Sequence, residues 1–184
     1  MTNFIQPYNP EWKTGFQHLK HVLETTLNGL DTDIQHVGST AVPGLFAKPI
    51  LDIDIIISNK SLLGELASRL EKIGYINKGE QGIPGRFAFR QRSPATIPET
   101  GMPHHLYACF SDSLALKNHL VFRDALLNDK ELAASYSALK KALIEERGMT
   151  REEYTKQKTA FIISALTALG LELHELNDIK GANS

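Results

Sequence analysis

Apolar residues recur every three to four positions between Pro10 and Asn28, where Trp12, Phe16, Leu19, Leu23 and Leu27 fall on one side of an amphipathic helix. The spacing then shortens. Asp33 to Val37 reads as a short strand, and Pro49 to Ser58 reads as a buried one, carrying Ile50, Leu51, Ile53, Ile55, Ile56 and Ile57. Helical spacing returns from Ser61 to Ile73 through Leu62, Leu66 and Leu70, with Ser61 placed as a cap and Gly74 as a stop. A turn-rich break from Gly79 to Gly85 leads into a strand over Arg86 to Arg90. Pro94 to Pro103 reads as a loop, and His104 to Phe110 as a further strand. From Leu114 the pattern is helical to about Leu173, broken near Asn128-Asp129 and Arg147-Gly148. The order α, mixed α/β, α predicts an α/β (α+β) fold with a small sheet flanked by helices. Residues 1–176 are expected to form one domain and residues 177–184 a flexible tail.

Two acids interrupt the most apolar stretch. Asp52 and Asp54 stand at alternate positions of the second strand, so they share a face, roughly 7 Å apart. Carboxylates that close repel each other unless a cation sits between them. Oxygen-only ligands suit a hard ion, Mg²⁺ ahead of Mn²⁺. The plainer alternative is that one aspartate caps the strand end and the other faces solvent.

Upstream, Gly38 ends the first strand, and Ser39 and Thr40 follow it. A glycine there lets the backbone turn tightly against a ligand, and exposed N–H groups with a nearby hydroxyl can hold phosphate oxygens. Gly-Ser alone is a common turn; its pairing with Asp-x-Asp twelve positions after Thr40 is much more specific.

A strand ending in hydrophobic-Gly-Ser, then Asp-hydrophobic-Asp-hydrophobic, resembles the motif of the DNA polymerase beta-like nucleotidyltransferase superfamily. The string from His36 through Val37-Gly38-Ser39-Thr40 and Lys48-Pro49 to Asp54 is similar to its GrpB family. The likeness continues in His105-Leu106-Tyr107, Phe122-Arg123-Asp124, Tyr136, Leu139-Lys140, Tyr154 and Lys158, and so covers about Pro7 to Leu169. It implies the nucleotidyltransferase fold with a mixed, largely antiparallel sheet. It also implies an NTP substrate, a divalent metal held by Asp52 and Asp54, and transfer of a nucleoside monophosphate to an unidentified acceptor. By the same resemblance Gly38, Ser39 and Thr40 contact the nucleotide. A third carboxylate usually completes such a site, and the strand from His104 to Phe110 has none. The family carries His-x-His there: His105 fits the first position and Tyr107 replaces the second. His105 then reads as a metal ligand, as a base on the attacking hydroxyl, or as a satisfied strand histidine. The gap in the acid set leaves a second reading open, a catalytically weakened domain that binds a nucleotide or a CoA-like ligand.

Among basic residues, Lys48 reads as a phosphate contact or a solvated loop lysine. Arg86 is placed in the cleft and Arg90 on the wet face of its strand. Arg123 and Lys140 are expected to make structural salt bridges to a carboxylate at a buried edge, and His36 to orient the glycine loop. Cys109 lies in an apolar strand and is expected to pack there.

Charge and composition narrow the class without changing it. A formal net charge of −1 over 184 residues argues against generic nucleic-acid or anionic-membrane binding, though not against a local basic cleft. One cysteine forms no internal disulfide and suits a reducing compartment. The first twelve residues lack a basic start and an apolar run, and no stretch approaches a membrane span, so a cytoplasmic location is expected. The phosphate loop of common NTPases, the dinucleotide glycine motif, H-E-x-x-H and G-x-S-x-G are all missing. Nothing in the sequence fixes the oligomeric state.

Overall fold

The computed structural model describes residues 5–92, 102–172 and 176. Five strands form one sheet: β1 (Thr32–Val37), β2 (Leu51–Ile57), β3 (Tyr75–Asn77), β4 (Arg86–Gln91) and β5 (His104–Phe110), in the order β1-β2-β5-β4-β3. Only β2 and β5 run parallel; the other three pairings are antiparallel. This is the mixed, largely antiparallel sheet expected. The parallel pair needs a long crossover, which is supplied by α2 (Leu63–Lys72) with β3 and β4.

One face of the sheet is a conventional apolar core. Ile34, Ile53, Ile55, Leu106 and Ala108 meet Trp12, Phe16, Leu19, Leu23 and Leu27 of α1 (Glu11–Thr26) and Leu66 and Leu70 of α2. Leu19, Leu23, Ile53 and Ile55 are fully excluded from solvent, each contributing roughly 2 kcal/mol by area burial. Period two on the strands and 3.6 on the helices point these residues inward together. α2 starts at Leu63, one residue later than a cap at Ser61 would place it. Lys60–Leu62 form a 3-10 turn capped by Asn59, whose Oδ1 accepts from Ser61 N at 2.9 Å, and α2 follows it with no side-chain cap of its own. The short strand β3 was not anticipated. Gly74, at φ +95°, ends α2 and delivers the chain into it.

The other face is partly covered by three C-terminal helices, α3 (Leu114–Asn128), α4 (Lys130–Glu145) and α5 (Arg151–Ala168). The two expected breaks carry strong caps. Asp129 accepts from Glu131 N and Leu132 N, and Thr150 forms a reciprocal capping box with Glu153. α5 ends at Ala168, short of Leu173. Val42, Leu45, Phe122, Leu126, Tyr136 and Phe161 form a second apolar cluster that ties these helices to the loop after β1. The expected tail, 177–184, and most of the loop between β4 and β5 lie outside the described residues. No helix among the described residues is long and apolar enough to cross a membrane.

Candidate active site

The partly covered face carries the polar chemistry. In the β1–β2–β5 register Val37 lies opposite Asp52, which lies opposite His105, and Gln35 lies opposite Asp54, which lies opposite Tyr107. Alternation therefore brings both aspartates, His105 and Tyr107 onto one face. Asp52 is half-buried, and its Oδ1 accepts from His105 Nδ1 at 2.9 Å. Asp54 is fully buried, and its Oδ2 accepts from His119 Nδ1 of α3 at 2.7 Å. Asp54 Oδ1 has no hydrogen-bond partner. A buried carboxylate oxygen left without a donor is costly, and a cation would satisfy it. Burial alone would push the His119 imidazole down, but the Asp54 charge and hydrogen bond outweigh it, and the net shift is upward.

Gly38 is fixed by two separate constraints. Its φ of +71° lies where side chains are strained, and a Cβ there would collide with Asp52 Oδ2. Backbone and carboxylate thus pack face to face. His36, on the opposite side of β1, stacks on Phe16 with ring centroids 4.6 Å apart and donates from Nε2 to Thr40 Oγ1 at 3.0 Å. Burial, offset in part by Asp52 and reinforced by Arg123, lowers its pKa to about 4, so it is a neutral brace for the loop. Thr40 is buried with its hydroxyl committed to His36, which leaves Ser39 as the hydroxyl turned toward the helices.

Opposite the carboxylates stands a wall of cations. Lys140, 2% exposed, donates from Nζ to Ser39 Oγ at 3.1 Å and to the Phe46 carbonyl, and lies 4.4 Å from the centre of the Tyr136 ring. Burial first, then the Lys158 charge, lowers its pKa to about 7. Lys48, 5.7 Å from the Tyr154 ring centre, is lowered to about 8 by burial, Lys158 and Arg151, against a smaller opposing pull from Asp52. Lys158 is lowered too, chiefly by burial. Arg86 reaches in from β4, its guanidinium 4.5 Å from the Tyr107 ring centre and its buried Nε without a hydrogen-bond partner. Lys158 helps to depress both Lys48 and Lys140, and basic groups crowded around one space call for an anion.

That space is a cavity of about 850 Å³, enough for a nucleotide. Of the residues singled out in the sequence, Gly38, Ser39, Thr40, Lys48, Asp52, Arg86 and His105 all line it. Asp54 does not; it sits beneath His119. Arg90 is exposed, as expected, but strand alternation puts it on the same face of β4 as Arg86 and not on a separate wet face. Lys140 departs from expectation, since its partners are a hydroxyl, a carbonyl and a ring, not a carboxylate. Arg123 bonds Asp124 at 2.7 Å, but Asp124 is 52% exposed, and the guanidinium also holds Gln35 and the His36 carbonyl. His119, which with Asn118, Phe122 and Arg123 resembles the family pattern but makes no ligand spacing with other histidines, has no role assigned by the sequence, yet it pairs with Asp54 across 65 positions. The burial of Cys109 agrees with a packing role, and burial together with the Asp54 charge raises its pKa.

No group of three histidine, cysteine or acidic side chains is arranged as a metal cage among the described residues. Two carboxylates on one strand face, one with an unsatisfied buried oxygen, still fit a hard cation whose remaining ligands come from phosphate oxygens and water.

The GrpB protein family model matches residues 3–168. The chain belongs to the GrpB family. Among relatives, YqkA of Bacillus subtilis is 30% identical over 158 residues, covering 86% of this chain and 44% of YqkA, so the chain spans less than half of that relative. The glutamate-rich protein GrpB of Alkalihalophilus pseudofirmus is 29% identical, with 88% of this chain and 92% of that protein covered. The crystal structure of the conserved protein GrpB from Enterococcus faecalis superimposes with a TM-score of 0.73 at 28% identity, covering 90% of this chain and 98% of that one. The Cid1 poly(U) polymerase, solved with MgGTP bound, superimposes at a TM-score of 0.57 and 16% identity, over 85% of this chain and 51% of that one. This GrpB chain therefore has the nucleotidyltransferase fold. A segment of 74 residues, 39% of the chain, is 35% identical to 18% of a dephospho-CoA kinase of Mycolicibacterium paratuberculosis.

Proposed function

We propose that this GrpB protein is a metal-dependent nucleotidyltransferase that moves a nucleoside monophosphate from an NTP to an acceptor. One observation carries the reading: the cavity sets Asp52, with Asp54 behind it, against a wall of Lys48, Lys140, Lys158 and Arg86. That polarity matches a polyphosphate lying between a cation site and basic side chains. Asp52 and Asp54 would hold a divalent ion, Mg²⁺ ahead of Mn²⁺, which when bound would offset the charge building on the phosphates. The Gly38 backbone, Ser39 and the basic wall would hold the β and γ phosphates, with Thr40 acting through the shape of the loop. The acceptor oxygen would bond to the α-phosphorus as the bond from that phosphorus to the bridging oxygen breaks, and pyrophosphate would leave. His105 donates from Nδ1 to Asp52, which leaves Nε2 as the ring nitrogen that would take the hydroxyl proton and pass it to water.

A second reading, a non-catalytic domain for a nucleotide or CoA-like ligand, draws on two observations. Each aspartate is paired with a histidine, His105 standing on the strand where a third acid is expected, and the kinase segment bears a CoA-related name. Calorimetric titration of the four NTPs with Mg²⁺, with Mn²⁺ and with EDTA, against an Asp52→Asn/Asp54→Asn variant, tests both. Metal-dependent binding lost in the variant supports the site, and pyrophosphate release on adding acceptors then separates transfer from binding alone. No NTP binding in any condition overturns the nucleotidyltransferase reading.

A further inference from the structure

Beside the candidate active site, a second recess of about 760 Å³ opens on the same side of the sheet. α3 packs over β1 and β5, while Ala88 and Arg90 of β4 and Lys78 just beyond β3 lie on the stretch toward the opposite edge. The Ala88–Tyr107 pairing and the bond from Lys78 N to the Ala88 carbonyl at 2.8 Å put these positions in line with Asp54. Lys78, Arg90 and Arg92 are exposed there, and no acidic side chain is among the described residues that line the recess. In a chain of net charge −1, such a one-signed patch is a local arrangement, not a by-product of composition. His105 and Tyr107 line both spaces, so the recess meets the cavity beside Asp52. Its volume lies within the range of small-ligand sites, and the small Ala88 side chain keeps its floor low.

We infer that this recess binds the acceptor, and that the acceptor is a phosphorylated hydroxyl compound of mononucleotide size. Its phosphate pairs with Lys78, Arg90 and Arg92, and its hydroxyl reaches the cavity past Tyr107. The inference rests on the nucleotidyltransferase reading, and the transfer step is the one given above with this hydroxyl as the attacking oxygen.

The test is titration of AMP and of a hexamer of oligo(A) in EDTA. The proteins are wild type, Lys78→Glu/Arg90→Glu, a cavity variant Lys48→Ala/Lys158→Ala, and a charge control, Lys72→Glu, on the exposed side of α2. AMP affinity should fall roughly tenfold or more in the recess variant, as expected for losing charge-assisted bonds, and hold in the other two. AMP that does not bind, or that weakens only in the cavity variant or equally in the charge control, overturns the assignment. A hexamer bound more than tenfold tighter than AMP through Lys78 and Arg90 overturns the mononucleotide size. MgATP titrated into the same proteins reports separately. Intact MgATP binding with no recess effect sinks the acceptor site alone, whereas absent MgATP binding sinks the reading beneath it.

Discussion

The two sides of the cavity are built in opposite ways. The floor is local: Gly38 and Asp52, with Asp54 buried behind them, come from two antiparallel neighbours, and their alignment follows from strand register. The wall is remote: Lys140 of α4 meets Ser39 across 101 positions and Phe46 across 94. The floor is held by backbone geometry and the wall by packing of helices around aromatic rings. Chemistry on the floor should therefore fail abruptly when one atom changes, while the wall should fail by degrees.

The sharpest break should come from Asp54→Asn. Loss of a charge that acts on developing phosphate charge should cut turnover by roughly 100- to 1000-fold, read as pyrophosphate release. Retention of full rate would remove Asp54 from the metal site. The same residue tests the structural side of the floor. Asp54→Ala strands His119 and should cost about 2 kcal/mol in urea unfolding. That is less than the roughly 3–5 typical of a fully buried pair, because His119 keeps 30% exposure. Asp52→Ala, whose partner His105 is 54% exposed, should change stability by under about 1 kcal/mol. Equal costs for the two would erase the distinction between a buried and an open aspartate.

Gly38→Ala should destabilise by roughly 1–2 kcal/mol from the positive φ alone. It should also abolish metal-dependent NTP binding, because the new methyl displaces Asp52. Unchanged binding would show that the close packing does not position the carboxylate. On the wall, Lys158→Ala should raise the KM for NTP by roughly tenfold with little change in kcat, the loss of one charge-assisted contact. A loss in kcat alone would place Lys158 on the reacting atoms instead.

The smallest effects are in pH. A Lys140 amine that titrates near 7 when folded and at its ordinary 10.5 when unfolded binds fewer protons in the native state between those values. Stability should therefore rise with pH across that window, and Lys140→Met should flatten the rise. His36 acts at the acid end. Lowered to about 4 from 6.5, it leaves stability intact above 6.5 and withdraws it as pH falls toward 4. His36→Asn should remove that part of the acid transition in a urea series; an unchanged slope would show that His36 is not its source.

How much of this was legible from sequence follows the same division. Strand alternation placed Asp52 and Asp54 on one face, and turn chemistry marked Gly38 as a tight turn, because period and φ are local properties; that Gly38 packs against Asp52 is visible only in the structure. His105 could be set on the correct strand face but not assigned a partner, since the parallel register with β2 spans 53 positions. His119, Lys140 and Lys158 sit on helices whose spacing gives only an inward face, not which β-strand that face meets. The misplaced cap at Ser61 has a plain cause: a 3-10 turn precedes α2, and either Asn59 or Ser61 satisfies the capping pattern. The carboxylate expected beside Lys140 failed for a deeper reason. A buried lysine signals a need for acceptors, which hydroxyl, carbonyl and ring can meet without an acid.

The parallel pairing of β2 with β5 also orders events during synthesis. Asp52 leaves the ribosome early but gains its histidine only after the crossover through α2, β3 and β4 has been made, and Ser39 gains its amine only when α4 has emerged. A chain stopped after β5 would carry every strand yet keep its glycine loop open to water. Contacts at such separations are slow to close, so this protein should acquire its shape before it acquires its pocket.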